Sequence, residues 1–142
     1  MRWVYRIGLL AVIAIALGFG YLWYTFQSPY GYEAPAHPPI MDRRLEHHTV
    51  FVYGTLRYAP VRWLVMGRAG TATPATLRGY SRNELDISAA PNDHVDGYTL
   101  SVTSDELQRL DRYEHLGERY RRVNVKLDSG QSAWVYQRVY EL

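Results

Sequence analysis

The chain has 142 residues, a formal net charge of +2 and no cysteine. That length indicates one main folded domain. The near-balanced charge implies no basic surface for nucleic acid, and the missing thiol excludes disulfides, thiolate catalysis and cysteine-ligated zinc.

Ile7 to Phe26 is a run of 20 residues without a charge. At ~1.5 Å rise per residue, such a run spans a hydrocarbon core of ~30 Å. Trp3 and Tyr5 flank one end and Tyr21, Trp23 and Tyr24 the other, where aromatic rings suit the two interfaces. Arg2 and Arg6 precede the run, and Gln27 to Met41 contains no Lys or Arg. The positive-inside rule then predicts a single-pass membrane protein with a cytoplasmic N-terminus and the rest outside, periplasmic in a bacterium. The rival reading is a cleaved signal peptide with Ala14-Ile15-Ala16 as the cleavage site; it would leave an apolar stump on the mature chain. The expected organisation is an anchor over residues 1–27, a linker over 28–48 and a folded domain over 49–142.

Ser28 to Pro39 holds four prolines and a glycine, which rule out a helix or an inner strand and predict an extended spacer. His47 and His48 are adjacent, so on an extended chain they point apart and make a poor shared metal site. His37, His94 and His115 show no ligand spacing. All five are expected to be surface or polar-contact histidines, with no metal.

Val50 to Tyr53 is a run of apolar and aromatic residues, which predicts a strand covered on both faces. The run stops at Gly54, where the backbone can turn sharply or let a ligand come close. Thr55 adds a hydroxyl, and amides left at a strand end can form an anion-binding concavity. This is either a carboxylate cradle or an ordinary strand end with a glycine turn.

A short helix is expected between Arg57 and Gly67, with Pro60 near its start and Val61, Leu64 and Val65 on one face. Ala69 to Leu77 is strand-like, and Pro74 places it at an edge or a bulge. Gly79 to Asp93 reads as irregular, and Val95 to Val102 as a half-buried strand. Thr103 or Ser104 caps a second helix, Thr103 and Glu106 having capping-box spacing; Gly117 follows as a stop. Two more strands, Tyr120 to Leu127 and Ala133 to Val139, flank a turn at Asp128-Ser129-Gly130. Strands outnumber helices without regular alternation, so the expected class is α+β, built on a sheet or barrel.

On the second helix Glu114 projects about 20° from Leu107 and about 40° from Leu110, on the apolar face. A carboxylate sent to a buried side has a raised pKa and is a candidate general base. Alternatively the helix has ended and Glu114 turns outward or pairs with Arg121 or Arg122. Asp111 lies near the same face and could equally be the buried acid.

Phe51-Val52-Tyr53-Gly54-Thr55-Leu56-Arg57 resembles the opening motif of the gamma-glutamylcyclotransferase-like family. Val95-Asp96-Gly97-Tyr98, Leu110-Asp111-x-Tyr113-Glu114 and Tyr120-x-Arg122 resemble its later motifs in the same order. The segment from Leu110 to Glu114 is most similar to the gamma-glutamylamine cyclotransferase branch. The resemblance covers about Thr49 to Val139. It implies a small mixed β-barrel with packed helices, and cyclisation of a γ-glutamyl amide to 5-oxoproline with release of an amine. The family's substrate-binding loop maps onto Tyr53, Gly54, Thr55 and Leu56, and its catalytic glutamate onto Glu114. Tyr120 and Arg122 would be supporting residues. The partners are a small-molecule γ-glutamyl substrate and a membrane; no cofactor and no nucleic acid are expected. The stretch Gly79 to His94 is more compact than the family's usual middle segment, which implies a small or reshaped pocket. The alternative on the same fold is a non-catalytic module that binds a small molecule or an envelope partner.

Overall fold

The computed structural model describes residues 1–26, 30 and 32–139. The junction residues 27–29 and 31, and residues 140–142 at the end of the expected domain, lie outside the described residues. The chain divides into two compact units, Met1–Glu33 and Ala34–Leu142.

The first unit is one helix, α1 (Arg2–Phe26), of which Arg2–Thr25 is long and apolar enough to cross a membrane. In the second unit, the described residues ahead of the first strand form neither helix nor strand. They nevertheless meet the domain. The Arg122 Nη2 donates to the Pro39 carbonyl at 3.4 Å, and Pro35 lies where a side chain on Gly117 would fall.

The domain comprises β1 (His48–Val52), a 3-10 turn (Thr55–Arg57), α2 (Ala59–Met66), β2 (Thr73–Asn83), β3 (Asp86–Val102), α3 (Ser104–Tyr113), β4 (Tyr120–Lys126) and β5 (Ser132–Arg138). The strand order is β2-β3-β1-β5-β4, and the sheet curls into a half-barrel. Among the strand pairs of the described residues only β1–β5 is parallel, with Val50 opposite Trp134. The β4–β5 turn reaches the edge strand β2, where Asp128 N donates to Thr76 O at 2.9 Å and Arg78 pairs with Asp128 at 2.6 Å.

The central strand β1 is buried on both faces, as its apolar run predicts. Phe51 and the following Tyr53 join the cluster of Leu77, Ile87, Val95 and Val135. Val50 and Val52 alternate to the opposite face. The helices add Val65, Met66, Leu107 and Leu110 to the core. His48 is buried with its Nε2 at 2.9 Å from Ser104 Oγ, a polar contact, while His47 is exposed.

The stretch expected to be irregular is mostly strand. β2 and β3 form a long hairpin whose outer half pairs Tyr80 with Ala89 and Asn83 with Asp86. Irregularity is confined to 90–93, which fall between the paired positions opposite Gly79. Pro91 cannot donate there, and Gly79 takes φ 85°. Pro74 lies on edge strand β2, where a missing donor costs little.

On α2, Val65 and Met66 are buried and Val61 and Leu64 are half-buried, and a cation, Arg62, is buried with them. On α3, Thr103 rather than Ser104 caps: its hydroxyl accepts from Glu106 N, and Glu106 accepts from Thr103 N. The helix ends at Tyr113 with Glu114 as C-cap; the left-handed residue that follows is His115, at φ 51°, ahead of Gly117.

Candidate functional site

A cleft of about 640 Å³ opens where β1 ends. Its walls are the strand end and 3-10 turn, the tip of the β2–β3 hairpin, the end of α3, and the β4 and β5 residues beside it.

The loop residues Tyr53, Gly54, Thr55 and Leu56 all border this cleft. Two of their side chains serve packing. The Tyr53 hydroxyl donates to Tyr136 O at 2.6 Å, with Leu85 O 3.3 Å away; burial pushes this phenol far up, so it holds its proton. Leu56 is buried in the core. Gly54 has φ −104° and ψ −140°, and a Cβ there would meet only Leu85 Cδ2, at 3.4 Å. The fold itself therefore tolerates a small side chain at Gly54, and the open backbone is available to a ligand. The first bonded amide of the turn is Arg57 N to Gly54 O at 3.2 Å. The amides of Thr55 and Leu56 come before it, the positions a helical turn leaves without an internal acceptor. The Thr55 hydroxyl meets the Tyr113 hydroxyl at 2.7 Å.

Glu114 faces the same cleft from the end of α3. Its amide donates to Leu110 O at 2.9 Å, so the last helical turn sets its backbone. The side chain is half-buried, and burial alone pushes its carboxyl up to about 7. Among the described residues no ion pair offsets that burial. The Glu114 carboxyl is therefore half ionised near neutral pH, which suits proton exchange with an amine.

Asp111, the other candidate acid, is used differently. Arg122 Nε and Nη2 donate to its two oxygens at 2.9 and 3.3 Å, and the Tyr136 hydroxyl donates to Oδ1 at 2.6 Å. Burial raises this carboxyl, and the Tyr136 and Arg122 contacts oppose the rise. Arg122 also stacks over Trp134, 4.3 Å from the ring centroid. Neither Asp111 nor Arg122 borders the cleft; of the two supporting residues, only Tyr120 does. The Tyr120 hydroxyl donates to Leu85 O at 2.8 Å.

Cleft residues not singled out from the sequence include Leu85, Glu118, Arg119, Tyr136 and Arg138, and Tyr113 was named only as part of a motif. Leu85 sits at the hairpin tip beside Glu84, which has φ 54°, and its carbonyl is held by Tyr53 and Tyr120. Recognising the hairpin would have located it. Arg138 ends β5, and its amide donates to buried Asp86 Oδ1 at 2.9 Å. Tyr113 is the neighbour of Glu114 within its motif, and Arg119 lies in the loop between α3 and β4, where it carries no local signal. Among the described residues no group of three His, Asp or Glu is placed to hold a metal.

The family model for gamma-glutamyl cyclotransferase, AIG2-like proteins matches residues 50–141. AIG2-like protein A of Arabidopsis thaliana is 38% identical over 88 residues, covering 57% of this chain and 52% of that protein. The chain spans about half the length of the curated relatives it matches. A solution structure of an Arabidopsis thaliana protein superposes with a TM-score of 0.58 at 29% identity, over 72% of this chain and 76% of that one. A solved gamma-glutamyl cyclotransferase superposes with a TM-score of 0.56 at 18% identity, over 66% of this chain and 68% of that one; this is a likeness of fold.

Proposed function

Because the chain belongs to the gamma-glutamyl cyclotransferase, AIG2-like family, we propose that it cyclises a γ-glutamyl amide, with Glu114 as general base and the Gly54–Leu56 loop as the cradle for the substrate's α-carboxylate. The observation that carries this reading is the meeting, in one cleft, of a carboxyl raised to about 7 by burial and a strand-end loop with amides ahead of its first internal bond.

The chemistry needs no nucleophile from the protein. Glu114, as carboxylate, takes a proton from the substrate's α-ammonium. The freed amine attacks the γ-carbonyl carbon, forming a five-membered ring and a tetrahedral centre. That centre collapses as the C–N bond to the leaving amine breaks: the leaving nitrogen takes the proton held by Glu114, and the ring nitrogen, which carries two hydrogens after the attack, gives one to the emptied carboxylate, which releases it to water. The products are 5-oxoproline and the free amine. Because attacking and attacked atoms share one molecule, the cleft supplies a folded conformation rather than a second reactant. A base poised near neutral pH both accepts and returns the proton readily. Tyr120 supports the site by holding the Leu85 hairpin tip.

In this reading residues 1–27 are a membrane anchor, 28–48 a linker and 49–142 the catalytic domain, placed outside the cytoplasm by the flanking Arg2 and Arg6. A chain that stays in the membrane fraction after alkaline washing supports the anchor; a soluble mature form starting near residue 17 refutes it. The activity is tested on the full chain in detergent with a panel of γ-glutamyl amines and γ-glutamyl amino acids. Release of 5-oxoproline is expected. Binding of these compounds without any product would make the protein a non-catalytic binder on the same fold.

A further inference from the structure

The carbonyl side of the substrate loop is occupied by arginines. Arg62 is only 5% exposed. Its Nη1 donates to Leu56 O at 3.2 Å and to Arg57 O at 2.7 Å, and its Nε donates to Ala69 O at 2.6 Å. Among the described residues no carboxylate pairs with it. Arg57 Nε donates in turn to Gly54 O at 3.0 Å, alongside the Arg57 amide.

Two consequences follow. In a planar trans peptide the N–H points opposite to the C=O. The Gly54 carbonyl is held by Arg57, so the Thr55 amide, in the same peptide plane, is directed away from that guanidinium. Both Gly54 and Thr55 border the cleft. Secondly, a guanidinium cannot lose its proton, so carbonyl oxygens satisfy its hydrogen bonds and leave its charge in place. A buried cation without a counter-ion is costly on its own and favours an anion nearby.

We infer that Arg57 and Arg62 are positioning residues: Arg57 holds the Gly54 carbonyl and so directs the Thr55 amide away from itself, while Arg62 holds the Leu56 and Arg57 carbonyls that close the turn and leaves a positive charge that a bound carboxylate balances. The inference rests on the proposed cyclotransferase reading for the identity of that carboxylate. Arg62 never touches the substrate; it acts through the loop.

The test is direct binding, which does not depend on turnover. The full chain in detergent, labelled with 15N, is titrated with 5-oxoproline and with its uncharged carboxamide. The acid is expected to bind in preference to the amide and to shift the Thr55 and Leu56 amide resonances. Arg62→Gln should weaken acid binding by about tenfold, the scale of one unit charge acting over ~10 Å at an effective dielectric constant of ~20. Arg62→Lys keeps the charge without the fork and should recover part of the loss. Arg57→Gln touches a half-buried side chain, is expected to fold, and should weaken the acid several-fold. In every variant the carboxamide should bind as it does to the parent chain. Equal binding of acid and amide by the parent chain, or unchanged acid binding in folded Arg62→Lys and Arg57→Gln, overturns the inference. A chain that binds 5-oxoproline as described but never forms it refutes the cyclotransferase reading and leaves the role of Arg62 standing.

Discussion

The hydroxyls of Thr55 and Tyr113 meet at 2.7 Å across the cleft, although 58 positions separate them in the chain. This contact joins the loop after β1 to the last residue of α3, the neighbour of Glu114. It therefore sets the distance between the proposed cradle and the proposed base. Tyr113→Phe removes the hydroxyl and little else. The expected outcome is a KM several-fold higher with kcat nearly kept, and a stability loss of about 1 kcal/mol. Steady-state kinetics and a thermal melt check both. An unchanged KM would show that the loop is held without this contact.

Glu114→Gln retains size and removes the base. Turnover should fall ~10²–10⁴-fold. In the parent chain kcat/KM should drop as pH falls below about 7, the value to which burial pushes this carboxyl, and the acid limb should be absent in the variant. The stability effect has a definite sign. The folded carboxyl holds its proton more tightly than the unfolded one, so in the window between the ordinary glutamate range near ~4.3 and about 7 the unfolded state binds fewer protons. Stability contributed by this group thus falls as pH rises through the window, by about 4 kcal/mol in all. Glu114→Gln should be more stable than the parent at pH 8, measured by denaturant unfolding. A less stable variant with normal turnover would make Glu114 structural.

Asp111→Asn separates the two acids of α3. It leaves Arg122 buried against Trp134 with its paired charge gone and one of the two acceptor oxygens replaced by an NH2 group. Removing one partner of a buried pair costs about 3 kcal/mol or more. Folded Asp111→Asn should keep the acid limb of the pH profile. Loss of that limb here, rather than in Glu114→Gln, would transfer the role of base to Asp111.

The glycine that the fold cannot replace is Gly97, not Gly54. A Cβ at Gly97 would lie 2.4 Å from the Val52 carbonyl and 2.8 Å from Phe51 Cζ, so β3 approaches β1 only without a side chain there. Gly97→Ala is expected to cost ~1–3 kcal/mol by overpacking, or to prevent folding. Gly54→Ala should fold with nearly parental stability and lose ligand affinity, since its Cβ meets only a leucine methyl at 3.4 Å. Thermal melts of both variants decide this; a destabilised Gly54→Ala with normal affinity would contradict it.

The features legible in the sequence were those written in neighbouring residues. The apolar run Val50–Tyr53 specified a strand buried on both faces, because side chains alternate along any strand. Thr103 and Glu106 specified a helix start, because the capping box closes within three residues. Helical periodicity carried Glu114 towards the buried side, although the helix ends one residue before it. What the tertiary structure alone decided was pairing at a distance. Asp111 and Glu114 lie three positions apart and read alike; Arg122 and Tyr136, brought in by β4 and β5, occupy the first and leave the second to the cleft. The 80–89 half of the hairpin was obscured by Pro91 and its polar neighbours, and it forms because β2 supplies partners across the strand. Nothing local marks Arg62 for burial; it is buried where the carbonyls of Leu56, Arg57 and Ala69 converge on it. A single sequence states each side chain's chemistry and its nearest neighbours. Which charge is neutralised and which is left to act depends on contacts that chain folding makes between distant residues.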